Sequence, residues 1–302
     1  MARAKNKSPA SRARAARGFW PGGASLALSL VVNVEEGAEQ NIQDGDPGPD
    51  AVDELGIALR KPVRNFGNES NYQYGINEAA PRVLRLLGKY RLPATFTAAA
   101  QALERAPQVA RGIVAGGHEA CAHGWRWQAT LGMDEAAERA FIAKARDSIA
   151  ASCGVAPAGW LSRYMHTAAT RRLLAEEGYS YHMDDFSRDE PFWDRSADLP
   201  RPMLVLPYAL DSNDMKFWSH PGVTPAAWLE YARDSFDWLL AEAHGSGAPR
   251  MMSLGIHLRI MGRPGRIGAY QGFLRHAAQA RGVWIATRRD IAAHFAVRRP
   301  AC

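Results

Sequence analysis

The segment Gly117-His118-Glu119-Ala120-Cys121-Ala122-His123-Gly124-Trp125-Arg126-Trp127 opens on a glycine and runs through small and apolar residues into a histidine. Gly116-Gly117 reads as the stop of a helix over residues 109–115, and 118–122 as the strand that follows. That strand delivers His123 at its C-terminal end. The same placement recurs along the chain. Residues 24–34 (ASLALSLVVNV) form a buried strand leading into Glu35 and Glu36, and 251–256 form another ending in His257. Shorter strands at 159–162, 179–183 and 203–206 run into Arg163, Asp184-Asp185 and Asp211. Polar residues gathered where strands end are expected of a βα barrel, whose C-terminal strand face carries the chemistry.

Helical patterns lie between these strands, at 77–92, 134–152, 168–177 and 225–244, with Asp134 placed as an N-cap. A further strand is expected at 93–98. Helix 266–280, strand 283–286 and helix 289–297 close the chain. The Asp-, Gly- and Pro-rich residues 43–53 read as a loop. Strands alternating with helices indicate an α/β fold with a parallel sheet.

The length of 302 residues suits one large domain, and 47% hydrophobic with 23% charged residues is the balance of a globular protein. The charge of +6 traces to Arg3, Lys5, Lys7, Arg12, Arg14 and Arg17, which no acid accompanies within residues 1–22. These residues are expected to form a disordered basic tail ahead of a single domain over 23–302. The tail lacks the apolar core of a secretory signal, and no run is long enough to span a bilayer. Three cysteines, Cys121, Cys153 and Cys302, make no disulfide framework. A cytoplasmic protein that binds neither membrane nor nucleic acid is the expectation.

Over residues 24–294 the chain resembles the polysaccharide deacetylase (NodB-homology) family, which implies a distorted (β/α)7 barrel. Glu35-Glu36 stand where that family has two adjacent aspartates, a general base and a metal ligand. His123 and Trp127 stand where it has two metal-binding histidines. Arg163-Tyr164-Met165-His166 keeps the arginine of an Arg-x-Pro-aromatic motif, and Leu254-Gly255-Ile256-His257 matches the strand that ends in the general acid. An indole nitrogen has no in-plane lone pair, so Trp127 cannot ligate a metal. The PuuE-type allantoinase branch, described as metal-independent, is similar at Asn33-x-Glu35-Glu36-Gly37, at Glu69-Ser70-x-Tyr72-x-Tyr74-Gly75 and at His118-Glu119-x-x-x-His123-Gly124-Trp125-Arg126-Trp127. It is also similar at Leu210-Asp211-x-Asn213-Asp214-Met215 and Gly255-Ile256-His257-x-Arg259. Residues 159–167 depart from the branch after Gly159-Trp160.

The resemblance implies Glu35 as base, Glu36 beside it, and His257 as acid or oxyanion donor. Read as residues alone, the glutamates suit a salt-bridged pair as well, and a strand-end histidine suits a structural role. His123, Trp125, Trp127, Tyr74, Arg163, Asp184 and Arg263 are candidate substrate contacts: the aromatic rings as flat walls, the guanidinium groups as carbonyl or carboxylate clamps. One of Asp184, Asp185, Asp211 and Asp214 is expected to orient His257 or a substrate N–H, and the others to cap loops. Glu36 and His123 are two potential zinc ligands, one short of the usual three. The expected reaction is therefore hydrolysis of a non-peptide C–N bond in a cyclic amide (ureide, hydantoin or imide) without a cofactor. Zinc-dependent deacetylation of a polysaccharide is the alternative. The resembling enzymes imply a homo-oligomer.

Overall fold

A computed structural model describes residues 18–54, 56 and 62–301. Its strands are β1 Leu26–Val34, β2 Thr95–Ala98, β3 Glu119–Ala122, β4 Gly159–Trp160, β5 Tyr181–His182, β6 Phe192–Asp194, β7 Met203–Val205, β8 Met251–His257 and β9 Val283–Ile285. Parallel pairing runs β8-β1-β2-β3-β4-β5-β7. β6 pairs antiparallel with β7, and β9 lies beside the first residues of β1. Seven parallel strands curling in one direction make the expected deacetylase-type distorted barrel.

β1 explains why this strand is central. All nine of its residues are buried, as expected of a parallel strand covered on both faces. β8 runs along its whole length, with Asn33 opposite His257. Glu35 therefore leaves the sheet two residues beyond the level at which His257 ends β8. Backbone register alone brings these two side chains to one end of the barrel.

Between β7 and β8 the ladder is interrupted. The two sides meet through one isolated bridge, Asn213 to Gly255. Arg288, fully buried, stitches the rest. Its guanidinium donates to the Leu206 and Pro207 carbonyls at 2.9 and 2.8 Å and also to Ser253 Oγ. A side-chain seam thus stands in for a strand pair, satisfying carbonyls that a continuous ladder would have paired.

Three differences from the sequence reading have physical causes. The helix expected from residue 77 starts at Phe66, capped by Asn65, and passes through a π-helical turn at Gly75–Ala79 before continuing to Tyr90. Weak amphipathicity in its first turns hid it. The hairpin strand β6 was too short and too polar in its surroundings to register. Residues 1–17 of the expected tail lie outside the described residues. Phe19 and Trp20 do not belong to a tail: both are buried, and they pack on His294 and Phe295, so the body begins before residue 23. Among the described residues no helix is long and apolar enough to cross a membrane.

Candidate active site

Four buried ionisable groups meet at the C-terminal ends of β1 and β8. Glu35 Oε1 lies 3.3 Å from His257 Nε2, and its Oε2 accepts from Arg259 at 2.6 Å. Asp214 holds His257 from behind, accepting from Nδ1 at 2.7 Å and from the backbone N–H at 2.9 Å. The result is a line of alternating charge: Asp214, His257, Glu35, Arg259. Burial pushes the Glu35 carboxyl up, but His257 and Arg259 outweigh it and hold the group well below the usual carboxylate range. Burial pushes His257 down, and Glu35 with Asp214 reverses this and raises it to about 10. At neutral pH the pair is therefore carboxylate plus imidazolium, a proton acceptor beside a proton donor.

His123 is fixed differently. Its Nδ1–H donates to the Leu161 carbonyl at 2.7 Å, and its Nε2 accepts from the Trp127 indole N–H at 3.1 Å. Both ring nitrogens are engaged in a way that only the neutral Nδ1–H tautomer allows, because an indole N–H can only donate. The 3.5 Å approach of His123 Nε2 to Glu35 is accordingly not an ion pair. Trp127 is itself clamped. The Arg163 guanidinium lies 3.7 Å from its ring centroid and Arg259 5.3 Å. Arg163 is held in turn by a two-pronged bond to Asp50, at 2.7 and 2.9 Å.

These groups open onto a cavity of about 280 Å³. Asn33, Glu35, His123, Tyr208, Asn213 and His257 line its floor, with Trp127, Ser162, Arg163 and Asp184 along one side. Leu161, Tyr164, Phe186, Leu210 and Met215 form the outer wall.

The polysaccharide deacetylase family model matches residues 70–182. A protein from Schizosaccharomyces pombe described as a putative polysaccharide deacetylase is 34% identical over 93% of both chains. The chain belongs to the polysaccharide deacetylase family. Two solved structures of that fold are each 39% identical to it. The crystal structure of PuuE allantoinase superposes with a TM-score of 0.89 over 94% of both chains. That of a probable polysaccharide deacetylase from Pseudomonas aeruginosa superposes with 0.87, over 93% of this chain and 94% of its own.

Measured against the deacetylase motifs, the structure brings together Glu35, His257, His123, Trp127, Arg163 and Asp184, and leaves four expected residues outside. Glu36, in the turn that follows β1, points to the opposite side. Its carboxylate accepts from the backbone N–H groups of Glu35 and Arg259, both at 3.0 Å. Burial raises its pKa, and it fills the space where a β-carbon on Gly75 would sit 2.4 Å from Oε1. Glu36 is thus a brace between β1, the π-helical turn and the end of β8. Trp125 points outward, donating to Glu104 at 3.2 Å beneath the Lys144 ammonium. Tyr74 and Arg263 stack on each other away from the cavity, and the tyrosine beside Arg259 is Tyr72. Arg163 borders the cavity, but its terminal nitrogens are engaged by Asp50 and the Trp127 carbonyl, so it positions the indole rather than clamping a ligand. Asp184 likewise accepts from Ser162 through both oxygens.

A zinc ion does not fit the residues present. Trp127 occupies the Nε2 lone pair of His123, Glu36 faces away, and Arg259 holds Glu35. His166 and His182 join no ligand group with them; among the described residues no cluster of three or more His, Cys, Asp or Glu is disposed to hold a metal. The sequence reading named Arg259 only as a donor near His257 and did not choose among the four aspartates. Asp214 is the one that orients the imidazole. It was signalled by the Asn213-Asp214 pair, which the Gly255 bridge lays alongside β8.

Asp214→Asn gives a direct check of this electrostatic line. Because the folded pKa of His257 is raised, its imidazolium persists through neutral pH and is lost as pH rises through about 10. Removing the Asp214 charge should move the alkaline limb of kcat/KM down by about one to three pH units. A limb that stays near pH 10 would assign the imidazolium to some other support.

Proposed function

We propose that this chain hydrolyses a C–N bond of a cyclic amide, using its own acid and base and no metal. The observation that carries the reading is the Trp127-to-His123 hydrogen bond beside an ionised Glu35–His257 pair. The indole takes up the lone pair that a metal would need, while the two groups required for unassisted hydrolysis remain in place.

The geometry suggests a sequence of steps. Water held at Glu35 Oε1 gives a proton to the carboxylate as its oxygen attacks the ring carbonyl carbon. The tetrahedral intermediate collapses with cleavage of the ring C–N bond, and His257 Nε2–H donates its proton to the departing nitrogen. Transfer of the proton from Glu35 to His257, across the 3.3 Å that separates them, restores the starting state. Tyr208 adds a donor. Its hydroxyl accepts from Asn33 at 3.3 Å and Asn213 at 3.1 Å, which leaves its own hydrogen to meet the developing oxyanion. The 39% identity with PuuE allantoinase supports this class.

Deacetylation of a sugar polymer, the activity in the names of other relatives, is the rival. One experiment separates them. Purified protein is offered hydantoin, allantoin, dihydrouracil, succinimide and an N-acetylated chitooligosaccharide, with and without a strong chelator. The expected outcome is ring opening that the chelator leaves unchanged. Acetate release that chelation abolishes and zinc restores would establish the rival.

A further inference from the structure

The cavity is unequal in its two halves, and the inequality bears on the substrate. Most polar groups on the floor and side are already joined to protein partners. Asn33 donates to Tyr208 and to the Ile256 carbonyl and accepts from Thr97. Asn213 donates to Tyr208 and accepts from the Met215 N–H. Both His123 nitrogens are engaged, as are the Asp184 oxygens and the terminal nitrogens of Arg163. On the floor, what faces a ligand is a short set: the Glu35 carboxylate, His257 Nε2–H and the Tyr208 hydroxyl hydrogen, with one remaining N–H of Asn213; Lys216, Ser219 and His220 add polar atoms only at the rim. That set suits a single amide carbonyl and a ring nitrogen. A substrate with many further polar groups would leave them desolvated without partners, at a cost for each.

The outer half gathers apolar side chains. Tyr164, Phe186 and Leu210 are 59, 53 and 60% exposed, yet converge on one opening together with Leu161 and Met215. Large apolar side chains left in solvent around a cleft mark a surface that a ligand covers. Tyr164 holds its place in a left-handed backbone (φ +58°), a conformation that disfavours a bulky residue. The polar groups of the rim have other company: Lys216 lies 5.0 Å from the Tyr231 ring centroid and His220 bonds Ser219.

We infer that the substrate is a cyclic amide bearing an apolar substituent, aryl or branched alkyl, on a ring carbon, with the ring on the Glu35–His257 floor and the substituent against Tyr164, Phe186 and Leu210. The inference rests on the ring-opening reading and narrows it.

The test compares kcat/KM for 5-benzylhydantoin, hydantoin and allantoin on the intact protein. An advantage of at least about 10-fold for the benzyl ring over both others is expected, as is collapse of that ratio toward one in a Phe186→Ala/Leu210→Ala double variant. A ratio of one or less, or a ratio the double variant leaves intact, overturns the inference while ring opening stands. If none of the rings opens, the parent reading fails. Calorimetric binding of 5-benzylhydantoin and allantoin then still decides the pocket's preference: at least about 10-fold tighter binding of the benzyl ring upholds it, and equal or weaker binding removes it.

Discussion

Glu35→Gln is expected to lower kcat by about 10²–10⁴-fold, the usual contribution of a positioned general base. The amide keeps the shape of the side chain and can still accept a hydrogen bond from Arg259, so the cavity and its ligand affinity should persist. What disappears is the negative charge that lies beside His257 Nε2 at the cavity floor. The imidazolium then loses one of the two carboxylates that raise it, so residual activity should also fall off at lower pH than in the parent chain. Steady-state kinetics on whichever ring is opened, paired with ligand binding, reads both effects. Turnover within threefold of the parent would exclude Glu35 as the base.

The second large effect falls on stability. Arg259 is fully buried, bonds Glu35 and Glu54, and stacks against Tyr72. Arg259→Ala leaves the buried Glu35 carboxylate with His257 as its remaining cationic neighbour. Breaking a buried pair from one side costs about 3–5 kcal/mol. In a domain of this size that corresponds to a fall of roughly 10 °C in Tm. The pH dependence carries the signature. In the parent chain Glu35 has a lowered pKa, so its contribution is present above the ordinary value of 4.5 and is lost only as pH falls through the lowered one. Without the guanidinium, burial acts unopposed on that side and the carboxyl takes up a proton more readily. The stability gap should therefore be widest at neutral pH and narrow as the solution is acidified. Thermal melts at pH 7 and pH 4 measure it; a gap that is constant with pH would assign the loss to packing alone.

Much of this was legible in the sequence, for identifiable reasons. The long buried run of β1 and the apolar approach to His257 are continuous hydrophobic signals, and parallel strands covered on both faces write them plainly. Glu35 and His257 follow because each stands just where such a run ends. Trp127 was legible as a missing ligand, but the bond it gives to His123 was not, since tautomer and ring orientation depend on Leu161, a residue from another strand end. Glu36, Trp125, Tyr74 and Arg263 illustrate the opposite failure. Adjacency in a motif does not say which side of the backbone a side chain takes, and here all four point away from the cavity. Arg163 was placed correctly but misjudged, because its partner Asp50 lies in a loop with no periodic signal.

The interrupted ladder between β7 and β8 has one last implication. The carboxylate and imidazole ride on two strands zipped together along their entire length, so their spacing is set by backbone geometry that few substitutions could disturb. The greasy opening is assembled from loops after β4, β5 and β7, across a join sutured chiefly by one arginine. Such a division lets the entrance be remodelled, residue by residue, for new cargo while the reactive centre stays in register, which is how a single scaffold can accumulate dissimilar clients without reinventing its chemistry.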